Sequence, residues 1–502
     1  MNQQRQSMNH PMQAIARIQP GSLTPTLSRR ERESRFALVD MPEPRPFVPS
    51  QIAPVNVRLG PPKPAAPILL LPPGEGRDEG RLLHSSRPGS WSESRSISNK
   101  GGPSRQRLLL GHSLVAALGL LVSWNVCRAE TVIAPAQPQP AATPTALQTA
   151  MDRGIQWLLT HQNSNGWWST SEQPAVTALA LTALNRERSG RFTRSRPSEL
   201  NRAYEFLLGS VRPDGSIHRG GLANYNTALS LLALSTAEDP RFLPVIRNAR
   251  AYLASSQIDF GEPGKRDTPF DGGVGYGSKY QHSDMNNTFT AIEAMRASEL
   301  VLPRDEAAGS PGFKDLDWAA VTHFLQNCQN LPEVNPDDRV SRDPNDRGGF
   351  FYYPGHSMAG AVTNAATGRI ALRSYGSISY AGLLSFIYAK VDKADPRVTA
   401  VIDWLEKHYT LAENPGMGQQ GYFYYLHLMT KALTAARVDR LKRSDGTEVA
   451  WRDEVARRLI SLQQPDGSWV NEQPRWWESD RVLVTAYVLM SLQMLDSRAT
   501  GG

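Results

Sequence analysis

Cysteine is nearly absent: of 502 residues only Cys127 and Cys328 carry thiols. A disulfide framework and a Cys-rich metal site are therefore both excluded, and Cys328 reads as a small buried hydrophobe. No two histidines stand at the close spacing of a zinc motif, so neither a metal nor any other cofactor is implied. Residues 1–104 have few aromatics and no apolar stripe at a period of about 3.6 or 2. Rich in Pro, Arg, Ser, Gln and Gly, they bury too little surface to offset ordering entropy and are expected to be disordered. An excess of one charge is missing from the remainder. Residues 1–130 hold 17 Lys+Arg against 9 Asp+Glu, which leaves 38 against 39 beyond them, so the net charge of +7 belongs to the N-terminal stretch. A nearly neutral folded region with mixed charges excludes nucleic acid as a partner.

At residues 105–129 the composition changes. Arg105 and Arg107 precede an apolar run over 108–122, and Cys127-Arg128-Ala129 follows. Basic, apolar and small-residue regions in this order read as an export signal with cleavage after Ala129. At about 15 residues the run is shorter than the roughly 20 a membrane span needs, and a retained signal anchor, with membrane association through it, is the alternative. The expected location is periplasmic or secreted. A signal beginning a hundred residues into a chain is unusual, and SLTPTLSRRERE and LLLPPGEGRDEG resemble translated intergenic repeat. A later start would use a codon other than Met, since no Met stands between Met41 and Met151.

After a linker over 130–144, residues 145–497 repeat one theme: an amphipathic helix, a Gly-containing loop, then a helix apolar nearly all round. The first copy places Leu147, Met151, Ile155 and Leu158 on one face and has the loop Gln162-Asn-Ser-Asn-Gly166-Trp-Trp168; the last has Gln463-Gln-Pro-Asp-Gly467-Ser-Trp469. Four weaker copies turn at Gly215, Gly272, Gly348 and Gly416. A helix apolar on every side must be covered on every side. Six hairpins with inner and outer helical rings, an all-α toroid, follow. In the loops, Gly supplies a positive φ, and Gln and Trp lock adjacent helices by hydrogen bonding and stacking.

The two Gln-x-x-x-Gly-x-Trp loops resemble the repeat motif of squalene-hopene cyclases and of protein prenyltransferase β-subunits. The stretch from Tyr375 to His427 resembles exported bacterial proteins of that fold. The resemblance implies the α/α toroid, a hydrophobic or isoprenoid ligand, and an alkene-protonating Asp in an Asp-x-Asp-Asp-Thr motif. Here that motif reads Asp284-Met-Asn286-Asn287-Thr288. Asn286 stands where the proton donor would be, and an amide cannot donate that proton. The Asp-x-Cys of zinc prenyltransferases and the Gly-Cys-Gly-Glu-Gln of thioester toroids are absent.

Asp284 and His427 are the candidate acid–base residues. Asp284 also reads as the cap of the next helix, and His427 as a hydrogen-bonded core residue. Asn286, Tyr353, Tyr375, Tyr380, Tyr422, Tyr424, Tyr425 and Trp476 are the candidate substrate-binding residues, because inner-helix starts converge on one mouth of a toroid. On that geometry Asp284, Tyr380, Tyr424 and His427 share one cavity. Three functions remain open: a terpenoid cyclase-like enzyme with a degenerate acid motif, a non-catalytic binding or scaffold toroid, and a polysaccharide lyase or hydrolase acting on a glycan.

Overall fold

The computed structural model describes residues 143–277, 281–303, 313–443 and 445–496. The expectations for residues 1–104, for the export signal at 105–129 and for most of the linker lie outside the described residues.

Twelve α-helices, among the described residues, form six pairs. The first members are α1 (Pro144–Thr160), α3 (Ser198–Leu208), α5 (Leu243–Ser255), α7 (Trp318–Gln326), α9 (Pro396–Lys407) and α11 (Trp451–Ser461). The second members are α2 (Pro174–Asn185), α4 (Ala223–Ser235), α6 (Met285–Glu299), α8 (Gly376–Tyr388), α10 (Tyr422–Ala435) and α12 (Arg481–Leu495). Cysteine 328 lies two residues beyond the end of α7, fully buried.

The even-numbered helices close a ring. Helix α2 packs on α4, α4 on α6, α6 on α8, α8 on α10, α10 on α12, and α12 back on α2. The odd-numbered helices lie outside it: α5 touches α4 and α6, and α11 touches α10 and α12. Residue chemistry dictates the split. Every residue of α2 is buried, whereas α3 buries only Leu200, Ala203, Tyr204, Phe206 and Leu207, a single stripe. The chain is thus an all-α toroid of an inner and an outer helical ring.

The loop motif joins the pairs. The Gln162 side-chain amide donates to the Gly166 carbonyl (2.9 Å) and to the Glu199 carbonyl in the first turn of α3 (3.1 Å). Gln463 repeats this toward Gly467 and Ala150 of α1, both at 2.9 Å, which ties the last repeat to the first. Gln257 and Gln329 do the same toward Asp317 and Arg397, at 3.0 and 2.8 Å. Five of the six loops also donate a backbone N–H to a hydroxyl on their own inner helix. Trp168 reaches Thr177, Ile217 reaches Thr227, Val274 reaches Thr288, Phe350 reaches Ser379 and Trp469 reaches Thr485, at 2.8–3.1 Å. The two motif tryptophans bond inside their own hairpin, to the Leu158 and Leu459 carbonyls. At Gly467 the backbone has φ +96°, and a Cβ there would stand 2.8 Å from the Arg153 carbonyl of α1, so conformation and close approach both require glycine.

The fourth hairpin carries an insertion between Gly348 and α8. It includes strands β1 (Ala361–Thr363) and β2 (Ile370–Leu372), antiparallel with Val362 opposite Ala371. Buried Asp346 anchors it by accepting from Ser341, Arg373 and the Ser374 N–H. A second small hairpin pairs β3 (Leu441–Lys442) with β4 (Glu448–Val449) ahead of α11. Among the described residues no helix is long and apolar enough to cross a membrane.

Candidate ligand site in the lumen

Residues three and four apart share a helix face, and the inner helices turn such stripes toward the ring axis. Asn286, Phe289, Thr290 and Glu293 come from α6, and Tyr424, His427 and Lys431 from α10. Tyr225, Leu229 and Leu232 come from α4, Leu179 from α2, and Tyr487 and Met490 from α12. Together they line one narrow cavity with room of about 30 Å³, on the scale of one or two water molecules.

The cavity is layered along the ring axis. Near the inner-helix N-termini the Tyr424 hydroxyl donates to Asn286 Oδ1 at 2.7 Å. One turn deeper His427 stacks on Tyr487, with centroids 5.2 Å apart and planes at 19°. Ser491 Oγ gives its proton to the Tyr487 carbonyl (2.8 Å), so its 3.0 Å contact with His427 Nδ1 is met by an N–H, and Nε2 is left as an acceptor. Burial first, then the charges of Lys431 and Arg186, hold the imidazole pKa well below its ordinary range, and the ring is neutral. Another turn down, Lys431 pairs with Glu293, both side chains 8% exposed, and the ammonium lies 5.1 Å from the Phe289 ring centre. Burial also lowers the Lys431 pKa.

Of the residues singled out in the sequence, the cavity brings together Asn286, Tyr424 and His427. Asp284 lies elsewhere, fully buried as the N-cap of α6, accepting from the Asn287 N–H (2.9 Å) and side-chain amide (2.7 Å). Burial raises its pKa to about 6. Tyr380 is also not among the lining residues: it packs on Tyr425 at 5.7 Å and its hydroxyl has no hydrogen-bond partner. The single cavity expected for Asp284, Tyr380, Tyr424 and His427 is therefore corrected to one that holds only the last two. Tyr425 donates to the Thr410 carbonyl (2.8 Å), and Tyr422 donates to the Leu411 carbonyl while accepting from Arg458 of α11. A helix advances about 100° per residue, so Tyr424 facing the axis turns Tyr422 and Tyr425 toward the outer ring.

The remaining candidates sit near the inner-helix starts. Tyr375 is the buried N-cap residue of α8 and lies within electrostatic reach of Asp284. Tyr353 stacks on His356 (4.8 Å) and meets His282 at 4.4 Å. Trp476, at φ +55°, covers Gly421 with Arg475 4.8 Å above its ring. Beneath this segment Glu478 accepts from the Tyr424 N–H (2.7 Å), the Phe423 N–H (3.2 Å) and the Asn471 amide (2.6 Å); burial lifts its pKa to about 7. Sequence reasoning passed over Tyr225, Glu293, Lys431 and Tyr487. Their signal was available: Asn286, Thr290 and Glu293, like Tyr424, His427 and Lys431, are polar residues at helical spacing within otherwise covered helices.

Among the described residues no group of three His, Cys, Asp or Glu is placed to hold a metal ion. No protein-family model matches the sequence, and neither does any curated protein. Among solved structures, the type II terpene cyclase MstE from Scytonema aligns over 70% of this chain and 98% of its own, at 15% identity and a TM-score of 0.42. A family 76 glycoside hydrolase (mannosidase) from Bacteroides thetaiotaomicron aligns over 71% of this chain and 100% of its own, at 9% identity and a TM-score of 0.47. A protein from Actinoplanes aligns over 70% and 99%, at 15% identity and a TM-score of 0.37. Likeness at this level says nothing of a reaction.

Proposed function

We propose that the chain is an exported binding toroid that holds one small, largely apolar or aromatic molecule in its lumen without transforming it. One observation carries this reading: apolar walls and ring faces line a narrow lumen that must widen to admit a ligand, and each acidic group near it is already engaged. Asn286 faces the cavity where a cyclase would need its acid, and its side-chain oxygen is taken by Tyr424. Asp284 caps α6, Glu478 caps α10, and Glu293 is paired with Lys431. Alkene protonation requires an unengaged acid at the reacting carbon, and glycoside hydrolysis two carboxylates flanking one bond. Glu293 is the single carboxylate among the cavity-lining residues. Leu179, Leu229, Leu232, Phe289 and Met490 supply apolar walls, and Tyr225, Tyr424, Tyr487 and His427 supply ring faces and polar edges. The basic, apolar and small-residue segments at 105–129 support export.

A cyclase-like reading has one specific support, the Asp284 carboxyl raised to about 6, which keeps a share of it protonated near neutrality. Its bonds to α6 and its place outside the cavity lining favour the capping role. Incubating the full chain with squalene or geranylgeranyl diphosphate and analysing the extracts by gas chromatography–mass spectrometry separates the two. Unchanged substrate is expected. A polycyclic product that disappears in Asp284→Asn would overturn the binding reading.

A further inference from the structure

The first turn of α10 is held from outside its own helix. Its N-cap residue is Gly421, at φ +64°, which has no side chain to offer, whereas α6 and α12 carry their own caps in Asp284 and Asp480. The leading N–H groups of a helix have no partner within it. Here the Phe423 and Tyr424 N–H groups donate to Glu478 (3.2 and 2.7 Å), at the far end of a strap, residues 471–478, laid across residues 419–424. The strap closes on itself, the Asn471 N–H donating to the Glu478 carbonyl (2.9 Å), and the Asn471 side-chain amide reaches the Gln419 carbonyl (2.7 Å). Midway, Arg475 donates to the Gln420 side chain (2.6 Å) and to the Met358 sulfur (3.6 Å). Trp476 seats on Gly421, where a Cβ would stand 2.8 Å from the indole.

Two features mark the strap as a part that moves. Trp476 and Trp477 both stand in the left-handed region, at φ +55° and +65°. A residue with a Cβ adopts that conformation at a cost, and such strain collects at clamps and switches. Residues 472–475 are exposed, and between the buried ends at Asn471 and Glu478 only the two tryptophans pack on the core. What the strap holds shut is the lumen: Tyr424, in the turn that Glu478 caps, bars the mouth from α10 to α6 through its 2.7 Å bond to Asn286. We propose that residues 471–478 are a latch on that mouth. When the strap lifts, the first turn of α10 loses its cap, Tyr424 leaves Asn286, and the narrow lumen widens to take a small apolar molecule. The inference rests on the binding reading above and adds how the ligand enters.

Hydrogen exchange of the full chain at pH 7, read at single amides, tests it together with calorimetric titration by benzyl alcohol. Arg475→Ala removes the bonds to Gln420 and Met358 but none of those made by the Asn471, Phe423 and Tyr424 N–H groups. All three amides are expected to exchange about fivefold faster, equivalent to about 1 kcal/mol, while Leu428 and Met429 in the middle of α10 keep their rates. Because apparent affinity scales with the population of the open state, benzyl alcohol is expected to bind tighter by the same factor. Unchanged exchange at Phe423 and Tyr424, an acceleration shared by Leu428 and Met429, or an unaltered affinity beside faster exchange overturns the latch and leaves the binding reading standing. Benzyl alcohol that binds neither chain defeats the binding reading, and the latch falls with it.

Discussion

Replacing Lys431 with Met keeps most of the side-chain volume but leaves the Glu293 carboxylate alone in the lumen. Both side chains are 8% exposed, so solvent cannot take over the role of the lost ammonium. Breaking a buried pair by removing one partner typically costs about 3 to 5 kcal/mol, most of it the desolvation of the charge left behind. A melting entropy of about 2.1 cal/mol/K per residue over roughly 350 folded residues makes each kcal/mol worth about 1.4 °C. Differential scanning calorimetry should therefore show Lys431→Met melting roughly 4 to 7 °C below the unaltered chain. The double variant Glu293→Gln/Lys431→Met should recover more than half of that loss, because a neutral amide is far less costly to bury than an unpaired carboxylate. A single variant melting within 1 °C of the unaltered chain, or a double variant no better than the single, would refute the placement of this pair in a poorly hydrated lumen.

Three further outcomes follow from the same geometry. Glu478, with its pKa raised from 4.5 to about 7, binds its proton more tightly folded than unfolded. Its stabilising contribution, about 3 kcal/mol, is complete below pH 4.5 and lost as pH rises through 7; Glu478→Gln should flatten melting temperature against pH over that window beyond the smaller slope left by Asp284, and unchanged profiles would contradict it. Gln463→Ala removes the bonds to Ala150, Gly467 and Arg153 that tie the last repeat to the first and should cost about 2 to 3 kcal/mol, against under about 0.5 for the exposed Arg194→Ala; equal losses in chemical denaturation would count against the lock. Tyr380→Phe deletes a buried hydroxyl without a hydrogen-bond partner, so stability should stay level or rise by up to about 1 kcal/mol, and a clear loss would show that the hydroxyl has an unseen partner.

How much of this was legible in the residues varies by element. The double ring could be read because inner helices such as α2 and α12 are apolar nearly all round while an outer helix such as α3 carries one stripe, and because Gln162 and Gln463 stand at a fixed distance from their glycines. Gln257 and Gln329 make the same locks, but 14 and 18 intervening residues separate them from Gly272 and Gly348, so no fixed spacing reveals them. The lumen was legible only in part. Clusters of aromatic residues at inner-helix starts suggested a shared mouth, yet consecutive residues on a helix point in different directions, and Tyr422 and Tyr425 must turn outward when Tyr424 turns in. The reverse error concerned Glu293 and Lys431: each is a charge within a well-covered helix, and which helix lies across the ring is set by closure of the ring, not by any local pattern. Asp284 illustrates a further limit, since the residues of a cap and of an acid motif are the same and only the direction of the carboxylate separates them.

The claim that the lumen is a binding compartment is tested most directly by methyl NMR of the full chain labelled with 13C at its methionine methyls and titrated with benzyl alcohol. Met490 lines the cavity, whereas Met151 on α1 and Met429 on α10 are buried in helix packing and are not among its lining residues. The account predicts that the Met490 methyl shifts and shows a nuclear Overhauser contact to the ring of the alcohol while Met151 and Met429 stay in place. An unmoved Met490, or a shift shared equally by all three, would contradict it.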